Sequence, residues 1–568
     1  MASDRSSPAA DTVALFTPKL VTVFREGYGL DRLRADLMAG LTVAVVALPL
    51  SMALAIASGT TPDRGLLTAI VAGFLISLLG GSRFQIGGPT GAFVVVVFGV
   101  VQKFGYDGLV LATLMAGIIL LIAGWMKLGT YIKYIPQPVV TGFTAGIAVI
   151  IFTSQLGEVF GIDLSGGTGE VADRLMLLAE RIGQTQPATL AVSLGALAII
   201  LGLRRFRPRW PGFLIAVVVA SLIVWASGLD VETIASRFGG IPSVPAIPSF
   251  PEVSVARLRE LAPSAFTIAF LAGVESLLCA VVADGMTGRR HRSNCELVAQ
   301  GAANLASAAI GGLPATGAIA RTATNIRAGA QTPVAGLAHA VFLLIVMLVA
   351  APLLDQVPLA ALAAILLVVA WNMSEIERIK VLMRAPIGDR LTLIITFALT
   401  VLVDLTVAIE VGVVLAAFLF MHRMAGAVEI ETGDDLLKRD LPDTVEGESR
   451  HSEMEDLPEG IAAFQINGPF FFGVAGRLGE VLDRIGPPPK VFILRLAGVP
   501  LIDATGAHAL ESMIERMHRH GTVVILSHLG ERPRAVVDAM GLVDGRHVRL
   551  AAHFGEAMDM ARDIIRQG

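Results

Sequence analysis

Charge is what this chain has least of. Only 16% of its 568 residues are Asp, Glu, Lys or Arg, while 54% are apolar and the mean hydropathy is +0.70. A soluble protein of this length needs charge to cover its surface, so the composition reads as that of a membrane protein. Cysteine is scarce as well. Cys279 and Cys295 are the two thiols, and neither sits in a CxxC or His-linked pattern, which implies no disulfide framework and no metal site. The formal charge of −4 is too small to suggest a nucleic-acid partner. No Walker A sequence, nucleophile–base pair or phosphate loop stands out, so neither an enzyme nor a cofactor is expected. The first 37 residues lack the short apolar core and cleavage site of a signal peptide, so the first apolar run is expected to stay in the mature protein.

Apolar runs, in contrast, are plentiful. Hydrocarbon about 30 Å thick calls for roughly 20 apolar residues in a helix. Runs of that length or somewhat shorter occur at 37–57, 65–80, 88–102, 108–126, 137–156, 188–203, 212–228, 263–283, 297–311, 317–327, 333–354, 358–372, 390–404 and 407–424. These are fourteen expected segments, numbered here in chain order. The third and tenth are too short to span alone, and each follows a Gly/Pro-rich approach.

Loops after even-numbered segments hold the Lys and Arg residues: Lys127 and Lys133, Arg204 to Arg209, Arg289 to Arg292, Arg378 to Arg384. The longest loop after an odd segment, 157–187, is mainly acidic. By the positive-inside rule both termini are expected in the cytoplasm. After Met424 the pattern changes. Residues 428–459 carry twelve acidic residues against three Lys/Arg and read as a solvated linker. From 460 onward "IAAFQI", "VFILRLAGV" and "TVVILSHL" read as buried strands. "TGAHALESMIERMHRH", "RPRAVVDAMG" and "GEAMDMARDIIRQ" read as helices, giving a small α/β domain. The expected organisation is therefore an N-terminal segment 1–36, a transmembrane domain 37–424, a linker 425–459 and a soluble domain 460–568.

Two sets of seven segments must lie in opposite orientations, the geometry of an inverted repeat. A weak internal echo supports it: "GGSRFQIGGPTGAFVVV" (80–96) leads into segment three and "GGLPATGAIARTATN" (311–325) into segment ten. A helix that begins inside the bilayer leaves its first N–H groups without intrahelical partners, worth about half a positive charge. Two such ends facing each other would form an anion site, and Arg321 in the first turn of segment ten would raise the sum to about +2, suited to a dianion. The competing reading is that Arg321 pairs with a carboxylate and ties two helices together. Intramembrane charge is costly enough that function is the better default. Gly88, Pro89, Thr90 and Gly91 line the other break, where glycine could equally serve packing. Glu275 lies in the middle of segment eight, where an ionised carboxylate is costly. It could pair with Arg321, or it could titrate during transport and so couple anion entry to a proton.

"RLRADLMAGLTVAVVALPLSMALAIASG", "GGSRFQIGGPTGAF", "GVESLLCAVVADGMTG", "ATGAIARTATNIRAG" and "LVVAWNMSE" resemble the SulP (sulfate permease) family of anion transporters, most nearly its bacterial proton-linked C4-dicarboxylate members. The resemblance runs from about residue 25 to the C-terminus. It implies a seven-plus-seven inverted repeat whose core domain rocks against a gate domain, a homodimer, and a cytoplasmic STAS domain over 460–568. It also implies a substrate site between the third and tenth helix N-termini. Carried over, that site comprises Gly88, Pro89, Thr90, Gly91, Ala320, Arg321 and Thr322, with Leu50 and Ser51 from segment one and Glu275 in the coupling position. Sodium-linked bicarbonate members have Asp and Thr where this sequence has Glu275 and Cys279, which favours a proton over sodium. Many animal members have Gln at Leu50 and Ser at Ala320. In stand-alone STAS proteins the hydroxyl matching Thr505 can be phosphorylated; its plainer role is to begin a helix.

The expected function is proton-coupled import of a C4-dicarboxylate such as succinate, fumarate or aspartate across a bacterial inner membrane. Sulfate or bicarbonate symport, or exchange, is the alternative within the class. A membrane-anchored sensor whose STAS domain binds a cytoplasmic partner is the alternative outside it.

Overall fold

A computed structural model describes residues 15–131, 136–164, 171–208, 210–242, 252–403, 405–426, 428–432, 457–474, 488–543 and 547–567. The chain forms two compact units, Met1–Val414 and Leu415–Gly568.

Each of the fourteen expected segments falls on a helix, all but the last lying wholly within the first unit. Among the described residues, nine helices are long and apolar enough to cross a membrane. Segments one, two and five are Leu30–Ala57, Pro62–Leu79 and Gln137–Phe160. Segments three and four share one run, Gly91–Trp125, of 35 residues. At 1.5 Å per residue such a helix would be roughly 50 Å long, well beyond the hydrocarbon thickness. It is broken at Gly105, whose φ of 72° ends one helix and begins the next. Segments six to eight are Pro187–Phe206, Gly212–Ser227 and Val255–Thr287. Segments nine to fourteen are Ser293–Ala309, Ile319–Arg327, Val334–Leu354, Leu359–Met373, Ile387–Leu402 and Leu405–Gly426.

The neighbours of each helix repeat at a spacing of seven segments. Segment four packs on nine and eight; its counterpart eleven packs on two and one. Segment five packs on thirteen, and its counterpart twelve on six. Such correspondence is what two copies of one seven-helix unit produce when they interlock. Segments one to four and eight to eleven pack mainly among themselves; five, six, seven, twelve and thirteen form the other group. Alanine is the commonest buried apolar residue of the interior, small enough for helix backbones to approach closely.

Two expected boundaries move. Segment one begins at Leu30, not 37, because the polar turn "LDRLRAD" continues the helix beyond its apolar stretch. The N-terminal segment 1–36 also contains a short helix, Lys19–Arg25, which buries Leu20 and Val23. It is tied down by Lys19 N donating to the Gly80 carbonyl (2.9 Å) and by Arg292 donating to the Thr17 carbonyl (2.6 Å) and the Thr22 hydroxyl (2.9 Å). Arg83 and Glu26 add an ion pair at 2.5 Å.

The second unit holds a five-stranded sheet in the order β3-β4-β5-β6-β7: Glu429–Thr432, Ile461–Asn467, Val491–Gly498, Val523–Ser527 and Val548–Ala551. The β3–β4 pair is antiparallel and the rest are parallel. Alternation along β5 sends Phe492, Leu494 and Leu496 to one face, where Leu510, Met513 and Val537 of the helices Ala504–Arg519 and Glu531–Ala539 cover them. Val491 and Ile493 face the other way, under Phe554, Ala557 and Ala561 of Phe554–Gln567. The acidic stretch 425–459 is therefore not all linker, since β3 lies within it and pairs with β4. The short β7 also went unread in the sequence.

Candidate functional site

The two Gly/Pro-rich approaches meet. Gly87–Gly88 (β1) and Thr316–Gly317 (β2) form an antiparallel pair, with Gly87 opposite Gly317 and Gly88 opposite Thr316. Backbone that leaves the helical pattern at membrane depth must find its hydrogen bonds within the protein. Here each break supplies the other. Ala318 N donates to the Ile86 carbonyl (2.8 Å), and Ile86 N donates to the Thr322 hydroxyl (3.0 Å). Asn325 Nδ2 donates to the Phe84 carbonyl (2.9 Å), and the Thr316 hydroxyl to the Ala272 carbonyl (2.8 Å). Helices start immediately beyond, at Gly91 and Ile319, so two N-termini with their unpaired donors are anchored to one small ribbon.

Arg321 is 1% exposed. Its Nη2 donates to Ser51 Oγ (3.2 Å) and to the Pro89 carbonyl (3.1 Å), while Nε and Nη1 have no hydrogen-bond partner. No carboxylate lies within ion-pair distance of it among the described residues. The helix-tying reading therefore loses its partner, for Glu275 is engaged elsewhere, accepting from Thr90 Oγ1 at 2.9 Å. Both its acceptors are neutral, and Glu275, although within electrostatic reach, is not bonded to it. Buried charges are normally paired.

The remaining expected residues divide by role. Gly88 has φ +147° and lies so close to Arg321 that a β-carbon there would sit 2.6 Å from Nη1, so glycine is needed at that position. Thr90 begins the helix and orients Glu275. Gly91 approaches Met373, whose sulfur would lie 2.4 Å from an added β-carbon. Ser51 is buried, donating to the Ala47 carbonyl (2.7 Å) and accepting from Arg321. Ala320 is exposed, beside the buried Arg321. Two expected ligands have other tasks. Leu50 is buried in the apolar core, and the Thr322 hydroxyl is taken up by Ile86 N and by the Cys279 thiol, which donates to it at 3.2 Å. Thr322 thus fastens the two breaks together.

With this geometry in view, likeness to known proteins becomes informative. The sulfate permease family profile matches residues 33–396, and the STAS domain profile matches 456–557. The chain belongs to the sulfate permease family. It is 40% identical to the "Putative sulfate transporter YvdB" of Bacillus subtilis, over 91% of this chain and 95% of that one. The bicarbonate transporter BicA of Picosynechococcus is 32% identical, over 88% of this chain and 90% of its own. In fold, the chain matches the murine Solute Carrier 26 family member A9 anion transporter with a TM-score of 0.84 at 18% identity, covering 99% and 96% of the two chains. The protein is thus a multi-pass anion transporter with a C-terminal STAS domain. These relatives are named for sulfate and bicarbonate, which moves the reading away from the C4-dicarboxylates that the sequence suggested.

Three polar groups of this family member escaped the sequence reading. Glu296, fully buried, accepts from Gly81 N (2.9 Å), Ser82 N (3.2 Å), Ser276 Oγ (3.3 Å) and Gln300 Nε2 (3.1 Å). Gln85 Nε2 donates to Ser276 Oγ at 2.6 Å, linking this network to the first break. His339 is fully buried in segment eleven and no side chain among the described residues hydrogen-bonds its ring. The signal for each was the one that exposed Arg321: a polar side chain in or beside an apolar run. In the STAS unit, Thr505 is exposed in the first turn of Ala504–Arg519, while Asp503 caps that helix by accepting from Gly506 N (2.7 Å).

One cavity lies away from the ribbon. It measures about 560 Å³ and is lined in part by Phe98, Glu158, Arg174, Glu232 and Arg237. Arg237 bridges Glu158 and Glu232, and the Arg174 guanidinium sits 5.3 Å above the Phe98 ring. It belongs to the side of the acidic loops and shares segment three with the site.

Proposed function

We propose that this transporter is a proton-coupled symporter of a small dianion, working by alternating access from a site between the N-termini of segments three and ten. The observation that carries the reading is Arg321, buried and bonded to no carboxylate, with two donor atoms unspent beside the paired breaks. Two helix ends and one guanidinium amount to about +2, a match for two negative charges. Sulfate is the first candidate, supported by the Bacillus subtilis relative. Succinate, fumarate and aspartate form the second reading. The site counts charge and has no second cation placed to measure the spacing between two carboxylates.

Glu275 is the proposed proton carrier. Bonded through Thr90 to the first turn of segment three, it stands where its ionised form would compete with the substrate for the same positive field. A protonated Glu275 leaves that field to the anion, so anion and proton would travel together. The same reading places both termini in the cytoplasm and the protein in a bacterial plasma membrane as a homodimer. Its STAS domain would be available to a cytoplasmic partner, and Thr505 would be open to phosphorylation.

Uptake of labelled sulfate, succinate and bicarbonate into proteoliposomes, with and without an imposed pH gradient, tests the proposal. The wild type should accumulate a dianion when the outside is acidic. The Glu275→Gln protein should show a weakened dependence on the gradient. Full gradient dependence in Glu275→Gln would remove the carboxylate from the coupling step. No Arg321-dependent accumulation of any of the three anions would favour a membrane-anchored sensor instead.

A further inference from the structure

Segment eleven carries a histidine that the transport scheme above does not use. His339 is fully buried; its ring is reached by the Gly336 backbone one turn earlier on the same helix, and no side chain among the described residues hydrogen-bonds it. One backbone contact satisfies at most one ring nitrogen and leaves the other free to take a proton. The surroundings are built around it. Gly40 of segment one lies against the backbone at Ala335 and His339, where an added β-carbon would come within 2.5 Å of the Ala335 carbonyl oxygen. Gly73 of segment two faces the ring: its β-carbon would be 3.7 Å from His339 Cε1 and 3.0 Å from the Gly87 carbonyl oxygen. The imidazole is thus one glycine away from the ribbon that holds Arg321. Ser77, one turn along segment two, also has an unpartnered buried hydroxyl, close against Gly336. A polar seam runs between segments two and eleven up to the first break.

We propose that His339 is a second proton-binding group of the anion site, protonated when a dianion occupies Arg321 and neutral when the site is empty. The inference rests on the anion-site reading of Arg321 given above. Charged groups on the elements around the ring are few. Arg321 is the cation within electrostatic reach. On segment one the nearest carboxylate is Asp36, already taken up by Gln331 N (2.7 Å), Thr332 N (3.1 Å), the Thr332 hydroxyl and the Tyr28 phenol. On segment two the ionisable residues, Asp63 and Arg64, lie in its first turn, well before Gly73. On segment ten, Arg327 is exposed at the far end. Burial opposes an imidazolium here most, and the like charge of Arg321 opposes it further. A dianion at the guanidinium removes the like-charge opposition and its own field offsets part of the cost of burial, so a proton from bulk water can occupy a free ring nitrogen. By reciprocity, a proton on His339 tightens the anion by the same factor. Glu275 and His339 together would then supply two protons to offset two negative charges.

Calorimetric titration of the full-length protein with sulfate, in two buffers of different ionisation enthalpy, counts the protons taken up per anion bound. Sulfate keeps one protonation state across the range; where it shows no affinity, succinate replaces it, corrected for its own ionisation. Near pH 6 the wild type should take up as much as about one proton per anion more than His339→Gln, and above pH 8 the two should agree. The affinity of the wild type should correspondingly steepen with falling pH by up to about tenfold per pH unit relative to the variant. Equal uptake by wild type and His339→Gln at pH 6, with binding intact, overturns the proposal. Should His339→Gln fail to fold, Glu275→Gln decides: uptake must persist in it through His339, and its complete loss is equally fatal. Arg321→Gln binding as tightly as wild type would instead bring down the anion site itself, whatever the histidine does.

Discussion

Replacing Arg321 with glutamine is the perturbation whose outcome differs most between an anion ligand and a structural strut. The substitution removes about half of the roughly +2 charge that the two helix ends and the guanidinium assemble. At about 4 Å and an effective dielectric near 20, one pair of unit charges interacts by about 4 kcal/mol. The loss of hydrogen bonds to a charged partner is put at roughly 1.5–3 kcal/mol, and the two figures describe overlapping effects. A penalty of about 2–4 kcal/mol is therefore expected, equivalent to roughly 30- to 1,000-fold weaker anion binding. Stability should move differently. The guanidinium has no carboxylate partner and donates to Ser51 and to the Pro89 carbonyl, both neutral. Removing a buried charge bonded to no carboxylate relieves its desolvation, so the thermal midpoint of anion-free protein should hold steady or rise. Binding calorimetry and thermal unfolding of one preparation read both quantities. An affinity within about threefold of wild type refutes the ligand role, and so does a collapse of the anion-free midpoint, which would mark Arg321 as a strut. Arg321→Lys should fall between the two proteins, since it keeps the charge and loses the planar fork.

Other perturbations test the supporting structure. Gly88→Ala puts a β-carbon 2.6 Å from Nη1 at a φ of +147°; it should cost about 1–3 kcal/mol of local strain and weaken anion binding at least as much as it destabilises the fold, measured by the same two assays. Unimpaired binding would show that the guanidinium does not need its present position. The Arg83 guanidinium bonded to Glu26 holds that carboxyl below its usual range. A depressed carboxyl contributes its stability above its ordinary pKa and loses it as pH falls, so the docked N-terminal helix should loosen below about pH 4.5 and be firm at pH 7. Hydrogen exchange over Lys19–Arg25 at the two pH values reads this, and Glu26→Gln should resemble the acid state at both; exchange indifferent to pH would refute it. In the STAS unit, Asp503→Ala removes the acceptor of Gly506 N and Phe472 N and should destabilise the start of Ala504–Arg519 by about 1 kcal/mol, visible as faster exchange there.

How far the sequence could lead depends on what each signal reports. Hydropathy measures contact with lipid, so it located all fourteen segments yet began the first at 37, where the apolar stretch begins, although the helix starts at Leu30. Arg321 and Glu275 were legible because a charge inside an apolar run is costly enough to demand a reason. Their partners were not, since partner choice depends on three-dimensional distance: Glu275 went to Thr90 on segment three, 185 residues away, and left Arg321 free of any carboxylate. The family resemblance implies Thr322 as a substrate contact beside Arg321, but successive residues on a helix point about 100° apart, and its hydroxyl accepts from Ile86 N. His339 passed unnoticed for a related reason. A neutral histidine amid alanines costs an apolar run less than a guanidinium or a carboxylate does, so the same signal is weaker there.

The register of the two breaks explains why the site needs both halves of the chain. A helix can start at the middle of a membrane only if the extended residues before it are hydrogen-bonded by something other than water. Among the described residues the backbone of Gly87 and Gly88 pairs with that of Thr316 and Gly317, so the ladder joins the two halves. The ribbon that satisfies the backbone is also what brings the two positive helix ends together, so folding and anion recognition share one cause. A substitution that breaks the ribbon should therefore weaken substrate binding and membrane-domain stability in proportion, whereas Arg321→Gln should separate them.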